Sequence, residues 1–156
     1  YNKHVVKMIL ESAQMLCTAH HLLDPCNSDD IPYKIAHKNH PSTIWVRQSA
    51  PHYLWLYHHM IALGEEYTKR YGKQHLTITK CKDVLARYPG GIFNVGFSEP
   101  PQCMPEQYKV TGCSVTAYWN YYEREKHTVA NKNEELKFRP DEYINIHFSN
   151  SNYIPC

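Results

Sequence analysis

The chain has 156 residues, 42% of them hydrophobic and 13% aromatic with thirteen Tyr, and its formal charge is only +2 with eleven His left neutral. That composition excludes a disordered chain, which goes with few aromatics and a large charge imbalance, and it suits one core burying roughly 70% of the unfolded surface. The near balance of charge also means that a nucleic-acid partner would have to be held by a local basic patch.

Lys3 to about Leu23 opens the chain with Val5, Val6, Met8, Ile9, Ala13, Leu16, Ala19 and Leu23 at steps of three and four, which predicts an amphipathic helix. Lys3, Lys7, Glu11, Gln14, Thr18 and His21 share its other side, with Glu11 placed to pair with Lys7. Such a row is either a solvated stripe or a catalytic one, Glu11 acting as acid or base and Lys7 holding it ionised or serving as an amine nucleophile. Asp24-Pro25 ends the helix, and residues 24–41 carry no period and read as an excursion loop. Within it His37 and His40 form a two-histidine spacing without a third ligand, so no metal or other cofactor is expected.

Ser42 is the expected cap of a short helix over Thr43 to Gln48, and Ser49 with Pro51 opens a helix to about Tyr71 with Gly72 following its last turn. On that helix His52, His59, Glu66 and Arg70 fall near one line, a polar face or a proton-transfer or ligand set. Arg70, Lys73 and His75 gather at its end, where positive charge suits the helix C-terminus. Thr77 or Thr79 is the expected cap of a helix through Leu85, ended by Pro89-Gly90-Gly91, and the Pro-rich stretch 89–112 is expected to wrap the helical core. Ser114 is the expected cap of a last helix, Val115 to about Lys126, whose Tyr118, Tyr122 and Lys126 offer stacking faces and a cation for nucleic acid, or core packing with polar tips. A polar tail, 131–156, follows, with alternation over Tyr143 to Phe148 hinting at a short strand. The fold expected is therefore mainly α, one compact helical bundle over 1–156 with long irregular loops and at most a small strand near the C-terminus.

No run is long and apolar enough to span a membrane, and no cleavable leader is evident. Six irregularly spaced cysteines without a CxxC pair argue for a reduced chain and against a zinc knuckle. No phosphate-cradling glycine loop, GxSxG or HExxH occurs.

Several stretches taken together resemble a family of small proteins of tailed bacteriophages. They are Asn2 through His20, then Asn39-His40-Pro41-Ser42 with Trp45-Val46-Arg47, then Glu66 through His75, then Pro100-Pro101, Met104-Pro105, and Ala117-Tyr118 with Tyr121-Tyr122 and Glu125-Lys126. The first block also resembles a broader bacterial group with a Lys-x-x-x-Glu-x-x-Gln helix and a His-Pro segment, which is similar to pyrimidine-dimer DNA glycosylases. The resemblance implies a DNA-modification or repair protein, a glycosylase/lyase acting on an altered pyrimidine, in the host cytoplasm during infection. It implies catalytic roles for Lys7, Glu11 and Gln14, with His20, His40, Arg47 and Arg70 contacting phosphate or base. A non-enzymatic nucleic-acid or host-protein binder and a virion component remain beside it as alternatives. The chain departs from the family pattern where Trp119 replaces a basic residue, where 131–134 lacks a Trp, and where members continue upstream of Tyr1.

Overall fold

In the computed structural model, residues 1–129 are described, and they are mainly helical with no strand among them. The alternation at Tyr143 to Phe148 and the rest of the polar tail lie outside the described residues. Five α-helices are present: α1 (Asn2–Leu23), α2 (Pro41–Val46), α3 (Ala50–Tyr71), α4 (Leu76–Cys81) and α5 (Ser114–Arg124). The chain divides into two compact units, one of His4–Ser98 and one of Tyr1–Lys3 with the chain from Glu99 onward.

In the first unit α1 and α3 supply most of the core. α1 buries Val5, Ile9, Ala13, Leu16, Cys17 and Ala19, and α3 buries Tyr53, Leu56 and Met60, with Trp45, Val46, Ile78, Cys81, Leu85 and Ile92 completing the cluster. The α1 face is the one its apolar period predicts. Its polar row is less uniform: Lys7 is exposed, but Thr18 is fully buried, its hydroxyl accepting the Ala36 N–H at 3.0 Å and lying within donating distance of the Gln14 and Ala36 carbonyls at 2.8 and 3.1 Å. His21 is likewise tied by Nε2 to the Tyr33 carbonyl at 2.9 Å. The 24–40 excursion is thus pinned along the C-terminal half of α1, since backbone groups withdrawn from water need partners.

The helix starts differ from the expected caps. His40 precedes α2, its Nδ1 accepting the Ser42 N–H at 3.2 Å, and Pro41 takes the first helical position, where a missing N–H costs nothing. His75 does the same for α4, Nδ1 accepting from Thr77 N–H at 3.2 Å. Thr77 is diverted, its hydroxyl lying 2.9 Å from the Tyr33 hydroxyl. Ser49 does precede α3, with Pro51 in the first turn, but it makes no side-chain capping bond. Gly72 ends α3 as expected, at φ 66°, its N–H donating to Thr68 O at 2.8 Å. The helix expected through Leu85 stops at Cys81, and a 3₁₀ turn, Val84–Ala86, follows. The first part of the Pro-rich stretch packs on this unit through buried Pro89 and Ile92.

The second unit centres on α5. Cys113, not Ser114, takes the capping position, its sulfur accepting the Thr116 N–H at 3.4 Å. Ser114 is the first helical residue, and its N–H donates to the Glu99 carboxylate at 2.9 Å, a negative charge where the helix dipole favours one. Cys113 is disulfide-bonded, which departs from the expected reduced chain, whereas Cys17, Cys26 and Cys81 carry thiols.

Candidate functional site

The irregular stretch after α4 comes back over the junction between α2 and α3. Ser49 Oγ donates to Gly96 O at 2.7 Å and accepts the Val95 N–H at 3.2 Å, and the Ala50 N–H donates to Phe93 O at 2.9 Å. These bonds hold residues 93–98 as one wall of an open pocket of about 400 Å³ lined by Gln48, His52, Val95, Gly96, Phe97 and Ser98.

His52 forms the floor. Its ring stacks on Trp45, centroids 4.4 Å apart and 13° from parallel, with the Phe97 ring edge-on to both. Nδ1 lies 2.9 Å from the Trp45 carbonyl, so it carries the proton, and Nε2 accepts the Ser98 N–H at 2.8 Å. The Ser98 hydroxyl is 3.1 Å from the same Nε2, and Trp45 Nε1 donates to Ser98 O and Oγ at 3.1 and 3.2 Å. Burial lowers the pKa of His52 from its ordinary 6.5, opposed by the bond to the Trp45 carbonyl. The neutral ring is therefore the working form at pH 7. Gln48, exposed at the rim, makes no side-chain hydrogen bond within the described chain, so both ends of its carboxamide are open to a ligand.

None of the residues expected to be catalytic or DNA-contacting lines this pocket. Lys7 Nζ and Glu11 Oε1 do meet at 3.2 Å, with side chains 70% and 36% exposed, and Gln14 is half-buried on the same helix. His20, near the end of α1, lies with Nε2 2.9 Å from the Tyr53 hydroxyl, and Lys7 is about 20 Å from it along the helix at 1.5 Å per residue. His20 is itself buried, with its pKa lowered by that burial, and it does not present its ring to a large ligand. His40 is exposed at the start of α2. Arg47 uses Nη1 to hold the Lys38 and Thr43 carbonyls, at 2.8 and 3.1 Å. Arg70 is paired with Glu66 at 2.6 Å, both side chains nearly covered. Lys73 is exposed, while His75 is spent on capping α4 and packs edge-on to Tyr67.

In the second unit Tyr118 donates its hydroxyl to Pro101 O at 2.9 Å, Tyr122 stacks with Tyr1 at 6.4 Å, and the Lys126 ammonium sits 4.8 Å over the Tyr121 ring. These contacts engage the three side chains within the unit, each of them half-buried. Sequence reasoning singled out His52 for its helical line with His59 and missed Gln48 and Ser98. The one local hint to Ser98 is its place between Gly91 and Pro100, in a stretch free to adopt an irregular path. Among the described residues no group of His, Cys, Asp and Glu is arranged to hold a metal ion, and no helix is long and apolar enough to cross a membrane. Set against family models, curated proteins and solved structures, the chain finds no match.

Proposed function

We propose that this is a phage-type protein of DNA modification or repair that engages its substrate by receiving an unstacked pyrimidine base in the pocket between α2, α3 and residues 95–98. The observation that carries the reading is the pocket itself. Its volume of about 400 Å³ admits one base with part of its sugar, and its lining holds no charged residue, which suits a neutral flat ring. Gln48 offers a donor and an acceptor side by side, the pattern that pairs with the amide edge of a pyrimidine. Exposed Lys34, His37, Lys38 and His40 lead into α2, about 9 Å long, at whose far end Gln48 stands. Lys34 and Lys38 supply local positive charge for the phosphates flanking an extruded base, in a chain whose net charge gives no such pull.

Fluorescence anisotropy with a labelled thymidine decamer and with ultraviolet-damaged duplex tests this. Gln48→Ala should weaken binding by roughly 5- to 30-fold, as loss of one or two hydrogen bonds to the base would. Lys38→Ala should weaken it more evenly and reduce the salt slope. Full binding in Gln48→Ala would refute the base-receiving role.

A second reading, a glycosylase/lyase, is favoured by the Lys7 amine and Glu11 carboxylate standing 3.2 Å apart on a face open to a large substrate. Borohydride trapping on damaged DNA tests it, and an adduct that persists in Lys7→Ala would remove Lys7 from the chemistry. Action in infected cells belongs to both readings; stoichiometric recovery from purified particles would point to a virion component instead.

A further inference from the structure

The contacts around His52 have the outline of a serine nucleophile with its base: a hydroxyl 3.1 Å from Nε2 and a carbonyl orienting Nδ1. The electron pair is already spoken for, however. Ser98's own amide donates to Nε2 at 2.8 Å, the shorter and fixed contact, so the imidazole has no lone pair left over to take a hydroxyl proton. The same fact gives the arrangement another use.

We infer that His52 is a proton-operated latch: in its neutral form it holds residues 95–98 in place as the pocket wall, and on protonation it releases them. This rests on the pocket being the ligand site for its consequence, but not for its operation. An imidazolium has N–H groups at both ring nitrogens. At Nδ1 nothing changes, because the Trp45 carbonyl accepts from either form. At Nε2 the change is complete, because a new N–H would point at the Ser98 N–H 2.8 Å away, two donors facing each other. The Ser98 hydroxyl can turn round and accept; the amide cannot. Ser98 must therefore move its backbone, and with it the Trp45 Nε1 bond to its carbonyl.

The other anchor of the wall, Ser49, contains no titratable group, so the two ends of the segment respond differently to acid. Trp45 faces the ring from α2 and Phe97 and Ser98 from the irregular segment, with Gln48 and Val95 also lining the pocket, and none of these side chains is titratable or charged. Arg47, the nearest cation in sequence, is turned to the Lys38 and Thr43 carbonyls. The transition accordingly belongs to one site and falls on the acid side of an ordinary histidine, where burial puts it.

The experiment is a pH titration of the full chain by NMR, following the His52 ring, the Ser98 amide and, as a control for unfolding, the Met60 amide in the core of α3. Thymidine decamer binding is measured over the same range. The Ser98 amide should shift with the His52 midpoint while Met60 stays put, and decamer affinity should fall about tenfold per pH unit below that midpoint. In His52→Gln, whose side-chain oxygen accepts an amide proton without titrating, both dependences should vanish. A Ser98 amide indifferent to the His52 midpoint, or a His52→Gln chain that keeps the same pH dependence, overturns the latch. Decamer binding that stays constant while Ser98 titrates overturns its control of the site. Failure of the decamer to bind at any pH refutes the base-receiving role instead, and the Ser98 resonance still decides the latch.

Discussion

Ser49→Ala separates two roles that one residue at a helix start can have. Ser49 is fully buried, holds the extended geometry of a helix-capping position at φ −152° and ψ 142°, and yet forms no capping bond. Its hydroxyl is instead committed to Gly96 O and the Val95 N–H, at 2.7 and 3.2 Å. Each such bond contributes about 1 kcal/mol net, and the freed backbone groups sit on an exposed segment that water can reach. The expected loss is therefore about 1–2 kcal/mol, confined to residues 93–98. Loss of a true cap would be of similar size but would fall on the first turn of α3. Native-state hydrogen exchange resolves the two. The Val95 amide should exchange roughly 5- to 30-fold faster, while amides in the body of α3 keep their protection. Equal acceleration of the Val95 and early α3 amides would show that Ser49 supports the helix and would refute its role as anchor of the pocket wall.

Three further outcomes follow from the first unit. A Cβ at Gly64 would stand 2.6 and 2.8 Å from the Ile78 side chain, so Gly64→Ala should cost about 1–3 kcal/mol in overpacking, offset by about 1 kcal/mol of helix propensity. In an Ile78→Ala background the same substitution should be stabilising, as urea denaturation would show; destabilisation there would refute the clash. His59, stacked on Trp55 with its Nδ1 buried and lacking a hydrogen bond, has its pKa pushed by burial from 6.5 down to about 4. Below pH 6.5 the unfolded chain then binds a proton that the folded chain refuses. Stability should fall by roughly 3 kcal/mol between pH 6.5 and 4, and His59→Phe should flatten that slope in a series of urea midpoints. Lys7→Ala should change stability by less than about 0.5 kcal/mol, because its ion pair with Glu11 is exposed, and it should leave decamer binding unaltered if the pocket is the binding site.

What the sequence disclosed and what it withheld divide along a physical line. The long helices α1 and α3 were legible because repeated burial imprints a period, and because Pro51 and Gly72 mark the ends of α3 by their backbone geometry. The caps of α2, α4 and α5 fall on other residues than expected because rules of preference rank residue types, whereas a start requires only an acceptor in the right place. An imidazole Nδ1 in His40 or His75 meets that need once Pro41 or the packing of Thr77 fixes the register. The Lys7, Glu11 and Gln14 row was visible as a face, but nothing in its spacing told that Thr18 and His21 at its upper end would be covered by residues 33–36. The pocket was least legible of all, since it joins Gln48 and His52 to Ser98 across a separation that no local pattern records.

A common cause runs through these cases. Segments 24–40 and 89–98 contain no regular element longer than a 3₁₀ turn, so their backbone groups must find partners among side chains. Hydroxyls and imidazoles serve that purpose, among them the expected capping residues Ser49 and Thr77: these two with Thr18 and His52 each fasten one of these segments to a helix or to the pocket wall. Gln48 stands out against them, a carboxamide at the rim of the pocket that fastens nothing. Its freedom is what the base-receiving role requires, and substitution there tests that role with the least disturbance to the fold.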